Sequence, residues 1–78
     1  MSEIKNIISG CLKGNRRDQE LLYRRHAASL YAVCLQYSGN DDEARDILQE
    51  GFIKIFENLV NYKHEGSFEG WIRRIMVT

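Results

Sequence analysis

DILQEGFIKIF, residues 46–56, carries apolar side chains at helical spacing, yet one of them, Ile53, falls where a solvent-facing residue belongs. With Asp46 set at zero and an advance of roughly 100° per residue, Ala44, Ile47, Leu48, Gly51, Phe52, Ile55 and Leu59 gather near the far side of the wheel. That side is the expected core face. Asp46, Gln49, Glu50 and Ile53 fall on the reverse face, within roughly 60° of the origin. A bundle helix needs one apolar stripe, so an outward isoleucine ringed by two acids and an amide reads in one of two ways. It is a lone exposed apolar residue of the ordinary kind, or it is the apolar centre of a docking patch with a polar rim. Gly51 costs a helix interior roughly 1 kcal/mol relative to alanine, and its place on the inner face predicts close approach of a neighbouring helix.

Outward from this stretch, the same periodicity predicts an all-α fold, a compact bundle of four helices over about 3–13, 16–38, 41–60 and 67–78. Ile4, Ile7, Ile8, Cys11 and Leu12 line one face of the first helix, which Gly14 ends. Asn15 is the natural N-cap of the second, with Leu22, Tyr23, Ala27, Leu30, Val33, Cys34 and Tyr37 on its inner side and Gly39 as a left-handed stop. Asn40 or Asp41 caps the third, and Asp42 and Glu43 put negative charge at its positive end. Ser67 caps the fourth, whose Phe68, Trp71, Ile72 and Ile75 share a face. That helix has barely begun where the sequence stops, so the chain is expected to be a single domain, 1–78, excised from a longer protein.

The 78 residues hold 44% hydrophobic and 28% charged side chains and no proline, a composition suited to a folded helical chain. Eleven basic and eleven acidic residues cancel, so the overall positive charge of an autonomous duplex-DNA binder is missing. Cys11 and Cys34 match no metal or redox spacing and are expected to be reduced core residues. No apolar run is long enough to span a bilayer, and the chain is expected to be soluble and cytoplasmic. His26 falls on the apolar side of the second helix and is expected to be partly buried and hydrogen-bonded, since no second metal ligand stands three or four residues away. No phosphate-binding glycine loop, metal-ligand pair or activated nucleophile is present, so no enzyme activity, cofactor or metal is implied. Arg16, Arg17, Arg24 and Arg25, interspersed with Asp18 and Glu20, read as a solvated face or as phosphate contacts.

The run DEARDILQEGFIKIFENLVNYKHEGSFEGWIRRI resembles the second conserved region of bacterial RNA polymerase sigma factors, in particular the small extracytoplasmic-function (ECF) group. The earlier ELLYRRHAASLYAVCLQYSGN is similar to the helix before that motif, and the likeness covers about residues 16 to 78. The resemblance implies that Asp46, Gln49 and Glu50 are polar contacts to the clamp helices of the largest subunit of core polymerase. The wheel adds Ile53 as their apolar centre. It also implies that the connection before the last helix captures a flipped base of the non-template strand in the promoter -10 element. The counterparts are Asn61, Tyr62, Lys63, His64, Glu65, Gly66 and Ser67.

Aromatics beside basic groups suit that task, because extruding a base costs a few kcal/mol that stacking or binding must offset. Arg73 and Arg74 point away from the apolar stripe of the fourth helix, toward phosphates or base edges or simply into solvent. Trp71, at the margin of that stripe, is suited to core-edge packing as well as to stacking on DNA. The partners implied by the resemblance are core polymerase, the -10 strand and an anti-sigma factor. The family's second region usually continues past Thr78, and a separate domain that reads the -35 element lies outside this sequence. The competing reading is a helical protein-interaction module that never touches DNA.

Overall fold

The computed structural model describes residues 3–77 and is built from four α-helices: α1 (Glu3–Leu12), α2 (Arg16–Ser38), α3 (Asp41–Asn58) and α4 (Phe68–Met76). A single 3-10 turn, Leu59–Asn61, extends α3. The helix ends follow from their capping residues. The Asn15 side chain accepts from the Asp18 amide (3.2 Å), Asn40 from Glu43 (2.9 Å) and Ser67 from Gly70 (3.2 Å). Each removes one of the amide donors that a helix start leaves unpaired. Gly39, at φ 84°, turns α2 into α3 and donates its amide to the Leu35 carbonyl at 2.9 Å.

Helices α2 and α3 form an antiparallel pair, with α1 packed on α2 and α4 packed on both. Between them lie Ile7, Ile8, Cys11, Leu22, Leu30, Cys34, Ala44, Leu48, Phe52, Ile55, Leu59, Phe68, Ile72 and Met76, all buried. At Gly51 the Met76 side chain of α4 lies directly against the α3 backbone: a Cβ built there would fall on the thioether, with Met76 Cε 2.7 Å away. The close approach expected at this glycine is therefore between α3 and α4. No helix among the described residues is long and apolar enough to cross a membrane.

Element boundaries depart from the sequence expectation at four ends, one of them the start of the fourth helix, at Phe68 after its Ser67 cap instead of at 67. The first helix stops at Leu12 instead of 13, and α3 closes at Asn58, whose side-chain amide donates to the Lys54 carbonyl (2.9 Å), before the 3-10 turn. The fourth helix ends at Met76; Thr78 lies outside the described residues.

Three side chains placed on inner faces stand largely in solvent: Leu12, Tyr23 and Tyr37. Leu12 is the final residue of α1, just before the chain turns away at Gly14. Tyr23 lays its ring on Phe52 (centroids 4.7 Å apart) but sits at the flank of the buried stripe. Tyr37, 68% exposed, stands beside an open groove between α2 and α4. A wheel assigns faces, but coverage depends on how far the neighbouring helices reach.

His26 also departs from expectation. It is buried to 8% exposure, and neither ring nitrogen has a hydrogen-bond partner among the described residues. Its ring instead meets Phe68 of α4 edge-on at 5.5 Å. Burial is the main influence on its basicity and lowers the pKa from the usual 6.5; Glu69 opposes the shift and Arg25 adds to it.

Candidate functional site

The buried stripe of α3 is the one its periodicity predicts, and this fixes what the reverse face presents. Asp46, Gln49, Glu50 and Ile53, at spacings of three, four and seven, are all exposed, with Ile53 at 55%. They form a ridge with unlike flanks. Gln49 and Ile53 border an open groove of about 750 Å³ between α2 and α3. Its other walls are Tyr23, Tyr31, Asp41, Arg45, Leu48, Phe52 and Phe56. Glu50 faces the opposite side, where Ile47, Lys54, Met76 and Val77 line a smaller depression of about 270 Å³.

The rim of the larger groove is tied by polar contacts. Arg45 Nε pairs with Asp41 Oδ2 at 3.1 Å, and the Tyr31 hydroxyl donates to the same carboxylate. That hydrogen bond, before any effect of burial, raises the Tyr31 pKa. Tyr23 and Phe56 make the floor apolar. The sequence reading missed both, the first because it was assigned to the core and the second because it belongs to neither stripe of α3. The only sequence signal is an excess of aromatics on the flanks of two consecutive helices.

A second concavity, about 340 Å³, is formed by the connection from α3 to α4. Asn61, Tyr62, Lys63, Ser67, Trp71 and Arg74 line it together with Glu65, Gly66 and Gly70. Its geometry follows from aromatic packing. The Tyr62 ring lies 5.0 Å from Trp71 and 5.1 Å from Phe68, and Phe68 stacks on Trp71 at 5.9 Å. Phe68 is buried, so it anchors the two half-buried rings above it from below. The Tyr62 hydroxyl donates to the Gly66 carbonyl (3.3 Å), closing the loop on itself. Within it Gly66 adopts φ 79° and His64 φ 59°. The latter is uncommon outside glycine and is the kind of local strain that collects at working sites.

Six of the eight residues expected to face DNA thus share one hollow. His64 and Arg73 do not. His64 contacts Tyr62 (4.7 Å) but lines a separate groove against α1, and Arg73 faces the α2–α4 groove. Ser67 spends one lone pair capping α4. Lys63, Arg73 and Arg74 are exposed and form no ion pair among the described residues. On α2, Arg24 pairs with Glu20 (2.9 Å) and Arg25 with Glu3 (2.7 Å), so those two arginines are engaged within the bundle's own surface. Among the described residues no group of three or more His, Cys, Asp or Glu side chains is placed to hold a metal ion.

The all-α domain thus leaves one long face of a central helix uncovered, beside a ring-lined loop with adjoining cations. The chain belongs to the sigma-70 region 2 family, whose model matches residues 22–78, and within it to the ECF type. It is 44% identical over 54 residues to the ECF RNA polymerase sigma factor SigE of Mycolicibacterium smegmatis, covering 69% of this chain and 21% of that protein. To the ECF RNA polymerase sigma factor SigW of Bacillus subtilis it is 31% identical over 72 residues, 92% of this chain and 38% of the relative. The RNA polymerase sigma-H factor of Pseudomonas aeruginosa matches at 25% over 73 residues, 94% of this chain and 38% of its own length. The chain therefore spans between 21 and 38% of these relatives.

Proposed function

We propose that residues 1–78 act as the region 2 domain of a sigma factor in transcription initiation, docking on core RNA polymerase through α3 and holding a melted promoter strand in the loop hollow. The observation that carries the reading is the exposure of Asp46, Gln49, Glu50 and Ile53 along one ridge of a helix whose opposite side is fully used by the core. The ridge supplies what a clamp-helix interface needs: an apolar centre at Ile53, continued by the Tyr23 and Phe56 floor, and polar groups at the rim. An anti-sigma factor, a further partner expected of the ECF type, is read as a competitor for the same ridge.

The hollow supports the second half of the reading by its energetics. Drawing a base out of a duplex costs a few kcal/mol, and stacking on an aromatic ring returns about 1–3 kcal/mol per base. Tyr62 and Trp71 are already fixed by Phe68, so little side-chain freedom is lost when a base arrives. Lys63 and Arg74 stand where they can meet flanking phosphates.

The test is capture of core polymerase by the tagged chain. Glu50→Lys and Ile53→Asp, both at exposed positions, are expected to abolish co-purification while leaving the circular dichroism spectrum unchanged. Undiminished capture by both variants would remove the ridge from the interface.

A further inference from the structure

One surface is not absorbed by this reading. Along α1 and the turn that follows it, Lys5, Ser9 and Lys13 fall at intervals of four residues, and with Ile8, Leu12 and His64 they line an open groove of about 540 Å³. Its chemistry is uneven in a useful way. Two lysines, one on α1 and one just past its end, line the same groove, and neither forms an ion pair among the described residues. No acidic side chain lines the groove. Its floor includes Leu12, an apolar residue left half exposed at 50%. A solvated lysine face explains the cations but not the bare leucine between them.

The groove neighbours the loop hollow through one ring contact, without sharing a lining residue with it. His64 contributes to its wall and at the same time packs its ring on Tyr62, which lines the hollow. The left-handed backbone of His64 is what turns this side chain toward α1 while Tyr62 and Lys63 remain with the hollow. Helix α1 in turn packs against the 3-10 turn that ends in Asn61, another residue of the hollow. A polyanion with stackable bases leaving the hollow past Tyr62 therefore meets His64, then Leu12 flanked by Lys13, then Ser9 and Lys5. The Lys13 amide, just past α1, still donates to the Ser9 carbonyl at 3.2 Å, so from Lys5 to Lys13 the chain rises about 12 Å at 1.5 Å per residue, room for about three nucleotides at the 3.4 Å spacing of a stacked strand.

We propose that the α1 groove, through Lys5, Lys13, Leu12 and His64, is a second single-stranded DNA subsite that carries the strand onward from the Tyr62–Trp71 hollow. This rests on the reading of that hollow as a strand-binding site. The lysines neutralise phosphates, Leu12 offers an apolar seat to one base, and His64 bridges the two subsites.

The experiment compares thymidine oligonucleotides of about five and about twelve nucleotides, within ordinary single-strand site sizes, by fluorescence anisotropy across a salt series. The chain, its Lys5→Gln/Lys13→Gln variant, its Lys5→Arg/Lys13→Arg variant and Trp71→Ala are titrated with each. The longer strand is expected to bind more tightly than the shorter. The glutamine variant should lose that gain, with the salt slope falling by about 1.4, or 0.7 per lost phosphate contact, equivalent to about 25-fold at 0.1 M salt for an unchanged 1 M intercept. The arginine variant should keep the gain, and the short strand should be indifferent to both lysine changes yet weakened by Trp71→Ala.

If the short strand binds in a Trp71-dependent way but length adds nothing, or the glutamine variant keeps the gain, the groove proposal is overturned and the hollow stands. If neither strand binds, both fall. Equal binding of a duplex of matching length, with the same loss in the glutamine variant, would show a general phosphate surface and overturn the single-strand assignment.

Discussion

Replacing His26 with leucine should make the domain more stable and remove part of its sensitivity to acid. A neutral imidazole has one N–H donor and one acceptor nitrogen, and both are buried here without a partner among the described residues. Each unsatisfied buried group costs about 1–3 kcal/mol. Against this stand the edge-on contact with Phe68, worth about 0.5–1.5 kcal/mol, and the misfit of a differently shaped side chain, about 1–3 kcal/mol. The midpoints leave an expected net gain of about 1 kcal/mol at neutral pH, or a rise in Tm of about 4–8 °C for a domain of this size.

The sign of the pH effect follows from the lowered pKa. The unfolded chain takes up the His26 proton near 6.5 and the folded chain only at lower pH, so wild-type stability falls as the pH drops below about 6.5. Burial drives this, Arg25 on α2 reinforces it, and Glu69 on α4 works against it. Thermal denaturation followed by circular dichroism between about pH 7.5 and 5, above the ordinary carboxylate range, isolates the histidine as the difference between the two proteins. A His26→Leu protein less stable than wild type at neutral pH, or one that loses stability in parallel with it on acidification, would refute the claim that the imidazole is buried and unpaired.

Other consequences are as direct. Gly51→Val should destabilise the domain by about 1–3 kcal/mol through overpacking against Met76, read as a lower urea midpoint; an unchanged midpoint would mean that α3 and α4 are not in close contact there. Burial, and to a smaller degree Asp18, pushes the Cys11 thiol up to about 11, and burial likewise raises Cys34. Iodoacetamide at about pH 8, near the ordinary thiol pKa, should therefore alkylate neither in the native protein and both once urea unfolds it. Native labelling at the rate of the unfolded chain would contradict the buried placement of both thiols.

The sequence was most legible where one local rule decides the outcome. Asn15, Asn40 and Ser67 cap their helices because a short polar side chain ahead of an apolar periodic run has few other uses, and Gly39 stops α2 because the turn requires a left-handed residue. The two sides of α3 were readable for the same reason: helical rotation alone separates Phe52 from Ile53. Features that depend on what a neighbouring element covers were not readable. Tyr23 lies on the inner half of its own wheel but is left at the margin of a groove whose other wall is α3. The loss of a partner for His26 depends on Phe68 arriving from α4, some forty residues later in the chain. Among the loop residues, Asn61 to Ser67 could be assigned to one segment from the sequence, but only the left-handed turn at His64 sends that ring to α1 and leaves its neighbours behind.

The four rings from His26 through Phe68 to Tyr62 and Trp71 form an unbroken column from the middle of the bundle to its surface. A lineage that altered the outermost pair, Tyr62 and Trp71, would at once disturb the seat of Phe68 and, through it, the α2–α4 contact. Changes at the tip of the column are thus coupled to changes of thermal tolerance at its root. The paths open to such drift are those in which an inner substitution accompanies or precedes the outer one.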